Sequence, residues 1–233
     1  MKINLVYEHN GSDTLLYCEN LPGAFTRGEN LNVALAKLPG EVASYMAWRG
    51  EEAPTEIEID LRQDIASELN IADADSDVIF SSELAPLTEE EYSGLKKLAL
   101  RSAADFQRLY DSVPHKDKSV LPARTTFYGA VPRTAREMYE HTKSVNSYYF
   151  AEIGVETDNE GSIYDCRLRG FEDLERRPDF LQMPPKEGSY GEMWSLRKVL
   201  RRFLWHDRIH ARAMCRMAKK TFGKYENIFR FEV

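Results

Sequence analysis

Cysteine is scarce in this chain, and what there is stands apart. Cys18, Cys166 and Cys215 are the whole complement of its 233 residues. They form no CxxC pair and no disulfide framework. Long apolar runs are also missing: no stretch approaches the ~20 apolar residues that a membrane-spanning helix needs. The opening MKINLVYEHNGS lacks the basic start and apolar block of a secretory signal. These absences describe a soluble protein of a reducing, cytoplasmic compartment. No Ser-His-Asp or reactive-cysteine signature is present. The acidic ADADSD at 72–77 lacks the Gly and the distal Glu of an EF-hand loop, and reads as a solvated turn.

Basic residues are missing from one part of the chain only. Residues 1–90 hold 5 Lys/Arg against 18 Asp/Glu, a net of −13, and residues 91–233 hold 26 against 20, a net of +6. Such a split favours two differently built parts. The first part would repel phosphate, which counts against nucleic acid as a partner. The basic residues of the second part face either the acidic part or solvent.

What is present begins with alternating runs. Residues 2–8 and 13–19 read as strands around a His-Asn-Gly-Ser turn, and Ala24–Arg27 as a third after Leu-Pro-Gly. Asn30 is an N-cap for a helix that Pro39-Gly40 interrupts and that resumes to Trp48. Residues 55–61, TEIEIDL, alternate strictly and predict another strand, with a short one at Val78–Phe80. From Thr88 the period turns helical, opening on a capping box with Glu91. A helix is expected from about Pro132 to Ile153, with Met138, His141, Val145 and Tyr148 on one face. Residues 155–191 read as irregular, with a short helical piece near Phe171–Phe180, and ENIFRFEV as a β-like end returning to the sheet.

The stretch Trp194–Met217 is the strongest single signal. Val199, Phe203, His206, His210, Ala213 and Met217 follow at spacings of four, three, four, three and four, one stripe of a long helix. Arg197, Arg201, Arg208, Arg212 and Lys219 lie opposite. A histidine on an apolar face is more often a hydrogen-bonded core residue than a ligand. His206-x-x-x-His210 is not the H-E-x-x-H protease motif, since Asp207 and Ile209 stand at the inner positions. With His141 on the apolar face of an earlier helix, three imidazoles can converge on one ion, leaving a position for water or substrate. Arg202, one turn before His206, either clamps a substrate carboxylate or snorkels at the bundle end. Trp205 and Tyr148 are pocket-lining or core aromatics. His9 beside a turn, His115 in a polar loop and Cys215 off the stripe take no part.

The capping box at Thr88, VPRTAREMYEHTKSVNSYYF with His141, an irregular crossover, and SLRKVLRRFLWHDRIHARAM with His206 and His210 together resemble the DinB-like (YfiT-like) four-helix bundle over about residues 88–223. The resemblance implies a divalent metal, Ni²⁺ or Zn²⁺, held by His141, His206 and His210, and frequent homodimers. It also implies metal-dependent transfer to or from a low-molecular-weight thiol. Separately, residues 1–50 (strand, strand, Leu-Pro-Gly, aromatic, Gly, then a helix rich in small residues) resemble the HicB-like fold, the antitoxin half of a toxin–antitoxin pair. No DNA-binding tail follows it. The expected architecture is therefore α+β, with a small α/β module at 1–82 and a helical bundle with a metal site at 83–233. The expected function is a metal-dependent thiol S-transferase acting on a small electrophile. The alternative is a non-catalytic binding module with a structural metal, its HicB-like part engaging a protein partner.

Overall fold

A computed structural model describes residues 1–232 and has α+β order, a small sheet followed by helices. Strand β1 (Lys2–His9) pairs antiparallel with β2 (Thr14–Cys18). The turn between them is held by Asn10, whose side-chain oxygen accepts from the backbone N–H of Ser12 and Asp13. Strand β3 (Phe25–Gly28) adds to β2, and β4 (Glu58–Ala66) runs parallel to β1 on the other edge, with Arg62 bulged between Leu61 and Gln63. The order is β3-β2-β1-β4. Val78–Phe80, expected as a strand, pairs with nothing among the described residues; its buried Val78 and Phe80 instead cover a face of the sheet.

Both faces of β2 are buried, which explains the unbroken apolar run LLYC. Leu16 and Cys18 join a cluster with Val42 and Tyr45, while Leu15 and Tyr17 face Val78, Phe80 and Trp205. Helix α1 (Leu31–Ala36) is capped by Asn30, whose Oδ1 accepts from Val33 N at 3.1 Å. Pro39-Gly40 does not interrupt this helix. The break falls at Lys37, and Pro39 sits in the first turn of α2 (Leu38–Arg49), where its missing N–H costs nothing.

Four longer helices follow: α3 (Glu89–Ser112), α4 (Ala135–Glu152), α5 (Ile163–Glu175) and α6 (Leu196–Phe222). The first three open on capping boxes, Thr88/Glu91, Thr134/Glu137 and Ser162/Asp165. Helices α3 and α4 each pack on both α5 and α6. Helix α5 corrects the expectation of an irregular 155–191. Its buried row Ile163, Cys166, Arg167, Gly170, Phe171, Leu174 has helical spacing, but an arginine and a glycine hide it from an apolar-periodicity reading. Gly170 is needed there, because a Cβ would lie 2.1 Å from the Phe150 ring.

The carboxyl-terminal segment is also corrected: among the described residues 226–232 no strand forms. Phe229 stacks on Trp48 at 5.5 Å, and the guanidinium groups of Arg208 and Arg212 lie 4.9 and 4.6 Å from the Phe231 ring. The segment is thus held by ring packing against α2 and α6 rather than by a strand ladder.

Helix α6 organises the molecule. Phe203, Leu204 and Trp205 are consecutive, and each enters a different hydrophobic cluster. Residues 198–208 are buried without interruption, so the helix is enclosed rather than amphipathic over that span. Its basic side faces the acidic part of the chain. Arg208 bonds Glu41 at 2.7 Å, Arg212 bonds the same carboxylate, and Arg201 bonds Glu83 at 2.5 Å. Of the two readings of the charge asymmetry, this is the first.

Candidate metal centre

The three histidines come together. His141 from α4 meets His206 and His210, one turn apart on α6, with ring centroids 5.1 and 4.7 Å from the His141 ring and 4.5 Å from each other. One nitrogen from each lies within 4.8 Å of the others. Metal–imidazole bonds of about 2.0–2.1 Å put ligand nitrogens about 3.4 Å apart in a tetrahedral site, somewhat closer than that bound. The stripe on α4 is turned slightly from its expected position. Met138 is buried, but His141, Val145 and Tyr148 are half-buried at the margin of a row formed by Ala135, Met138, Thr142, Asn146 and Tyr149.

All three imidazoles are held neutral. Burial, then the neighbouring His141, lowers His210 to about 3. Burial, then His210, His141, Arg202 and Arg167, drives His206 well below its ordinary value, and burial lowers His141. Neutral imidazole is the ligating form, so no proton competes with an ion near neutral pH. His206 is 9% exposed, and its Nδ1 is buried without a hydrogen-bond partner. An unsatisfied buried nitrogen beside two others fits a cation. The one nearby carboxylate in sequence, Asp207, points to Arg167 instead.

The other expected site residues divide. Arg202 is buried and donates to the Ser76 carbonyl at 2.6 Å, with its guanidinium over the rings of Tyr149, Trp194 and Trp205. It neither snorkels at the bundle end nor stands free. Tyr148 is half-buried, its ring 6.1 Å from Trp194, and burial with the nearby Glu152 raises its hydroxyl. Trp205 is 2% exposed and packs on Tyr17 and Phe25 at 5.7 and 6.0 Å, on the sheet side of α6. Tyr149, missed by the sequence reading, sets its ring edge-on to His206 at 6.1 Å. It stands one position from the expected stripe, and the small rotation of α4 brings it in. His9 bonds Asp64 at 2.9 Å, His115 is exposed and Cys215 is buried, as non-participants.

A cleft of about 720 Å³ reaches His210. Met138, Ile209, Ala213, Arg27 and Arg216 are among its lining residues. No family model, curated protein or solved structure matches the chain.

Proposed function

We propose that the protein binds a divalent metal, nickel or zinc, through His141, His206 and His210, and uses it as a thiol S-transferase on a small electrophile. One observation carries the reading: three neutral imidazoles from two helices converge, and among the described residues no carboxylate joins their cluster. Imidazole suits either metal, and three ligands leave a position open. An ion bound there supplies the charge that lowers the pKa of a coordinated thiol or water. The chain's own part is to present the three nitrogens and to keep one side dry with Tyr149, Phe203 and Trp194. The cleft at His210 admits the substrate. Arg202 and Tyr148, both against the Trp194 ring, are the substrate-binding candidates in the aromatic wall, and Trp205 anchors α6 to the sheet. The reading extends to the cytoplasm, where three buried free cysteines stay reduced, and to a homodimer. Among the described residues no helix is long and apolar enough to cross a membrane.

Metal analysis of untagged protein tests the foundation. About one equivalent of nickel or zinc, lost in His206→Ala, is expected. Less than half an equivalent, unchanged by the substitution, removes the basis of the reading.

A second reading is favoured by β4, an edge strand that presents Ile59 and Leu61 outward. Here the metal is structural and the amino-terminal part holds a protein partner. Heating with and without chelator separates the two: a large loss of stability marks a structural ion, and a small loss with exchangeable metal-bound water marks a catalytic one.

A further inference from the structure

The cleft that reaches His210 is lined by seven basic side chains and three acidic ones. Two of the acids are spent: Glu41 on Arg208 and Arg212, and Asp73 on Arg124. The third, Glu232, is exposed. Four of the basic groups are also engaged. Arg27 is paired with Asp13 at 3.1 Å, Lys37 donates to the Arg27 carbonyl at 2.6 Å, and Arg124 and Arg212 take the carboxylates just named. Arg133, Arg216 and Lys220 have no side-chain partner among the described residues.

Of these three, Arg216 and Lys220 are exposed and Arg133 is half-buried. Arg133 Nε and Arg212 Nε are both buried and without any partner. A buried donor left unmade is costly, and native proteins rarely leave two in one cavity unless something else fills them. Arg212, Arg216 and Lys220 form one i, i+4 row along α6, and Arg133, just before α4, lines the same cleft. Burial, Arg212 and Arg27 all disfavour the charge on Arg216, and only Cys215 acts the other way. An anion in the cleft would relieve that repulsion.

We propose that this cleft is a binding site for a small anionic molecule, its phosphate or carboxylate group held by Arg133 and Arg216. Arg216 follows His210 by six residues, about 9 Å along the helix axis at 1.5 Å per residue. A ligand that also meets His210 therefore reaches along more than one turn of α6, its far end at the histidine. The identity of that end as the reacting one rests on the metal reading above, whereas the anion seat stands on the arginines alone. A small molecule fits better than nucleic acid, because the seat is a confined cleft in a chain whose first 90 residues carry a net of −13.

Calorimetric titration of the full, chelator-treated protein at low salt tests this without any metal. Inorganic phosphate and succinate are the two probes, and whichever binds more tightly names the anionic group. Saturable binding is expected for at least one, weakened about tenfold or more in Arg216→Gln and in Arg133→Gln. Arg62→Gln, on the outer strand β4, should leave it unchanged. No saturable binding of either probe, or equal binding by Arg216→Gln and wild type, overturns the proposal. So does a single-stranded oligonucleotide that binds far more tightly than both probes. Loss of metal in the separate His206→Ala experiment bears on the metal reading and leaves this result untouched.

Discussion

Asp207 follows His206 directly, yet its carboxylate faces Arg167, with Nη2 3.0 Å from Oδ1, Nη1 2.5 Å from Oδ2, and neither side chain exposed. The same guanidinium donates to Asn146 Oδ1 at 3.0 Å and to the Ala99 carbonyl at 3.1 Å, and lies 4.3 Å from the Phe203 ring. Ala99 is on α3, Asn146 on α4, Arg167 on α5 and Asp207 on α6. One buried ion pair thus joins all four helices directly behind the histidines.

Breaking that pair from one side is expected to be severe. Asp207→Asn keeps the shape but strands a buried guanidinium, which costs about 3–5 kcal/mol. Urea unfolding followed by circular dichroism should register that loss. The double variant Arg167→Met, Asp207→Leu removes both charges and should recover most of it. A single variant within about 1 kcal/mol of wild type would contradict the role given to the pair.

Gly23 fixes how the sheet docks on α6. It has φ +90, and a Cβ there would lie 2.7 Å from Leu204 Cβ and 2.8 Å from the Leu204 carbonyl carbon. Gly23→Ala therefore combines an unfavourable backbone conformation with a clash against main chain that cannot move aside. A loss of at least about 2 kcal/mol is expected, measured by the same unfolding assay. An unchanged midpoint would mean that the sheet tolerates a different seat on the helix.

Much of this architecture was legible because single local rules decide it. The capping boxes at Thr88 and the strand pair around Asn10 depend only on neighbours in sequence. The histidine pair was legible for the same reason, as 206 and 210 share a face on any helix. Their third member needed only the apolar face of α4, although the true face is turned toward Tyr149. Long-range balance was harder to see. Lys198, Arg201 and Arg208 are each buried, and no helix-wheel reading places three cations inside. They are inside because Glu192, Glu83 and Glu41 meet them, and only the fold makes those meetings. The cleft arginines were missed likewise: Arg27, Arg133 and Arg216 come from segments far apart in the chain.

The tail residue Phe229 makes a similar long-range contact, and its removal is a direct test. The side chain is wholly buried against Trp48, and the Ser44 hydroxyl donates to its carbonyl at 3.5 Å. Phe229→Ala should cost about 3–5 kcal/mol, the range for a large core aromatic. Near-ultraviolet circular dichroism should also lose signal from Trp48. If both measures stay at wild-type values, the tail does not cover α2 in solution.

The histidine cluster also predicts how the metal-free protein responds to acid. An unfolded histidine takes up its proton near pH 6.5, whereas His210 in the folded chain holds out to about 3. Below pH 6.5 the unfolded state therefore binds more protons than the folded one. Stability present above that pH is lost as pH falls, by at most about 1.4 kcal/mol per unit for each such group. Burial raises the Glu8 carboxyl, and that group acts in the opposite sense, favouring the folded state as pH falls. Comparing wild type with His210→Gln isolates the histidine, because Glu8 is common to both. Urea unfolding in chelator at pH 7, 6 and 5 should show a shallower decline for the variant. A saturating divalent ion should flatten the wild-type curve until protons displace it, since only the neutral imidazoles can hold the ion. Equal slopes for wild type and variant would mean that His210 titrates like an exposed histidine, and the converging neutral cluster would lose its physical basis.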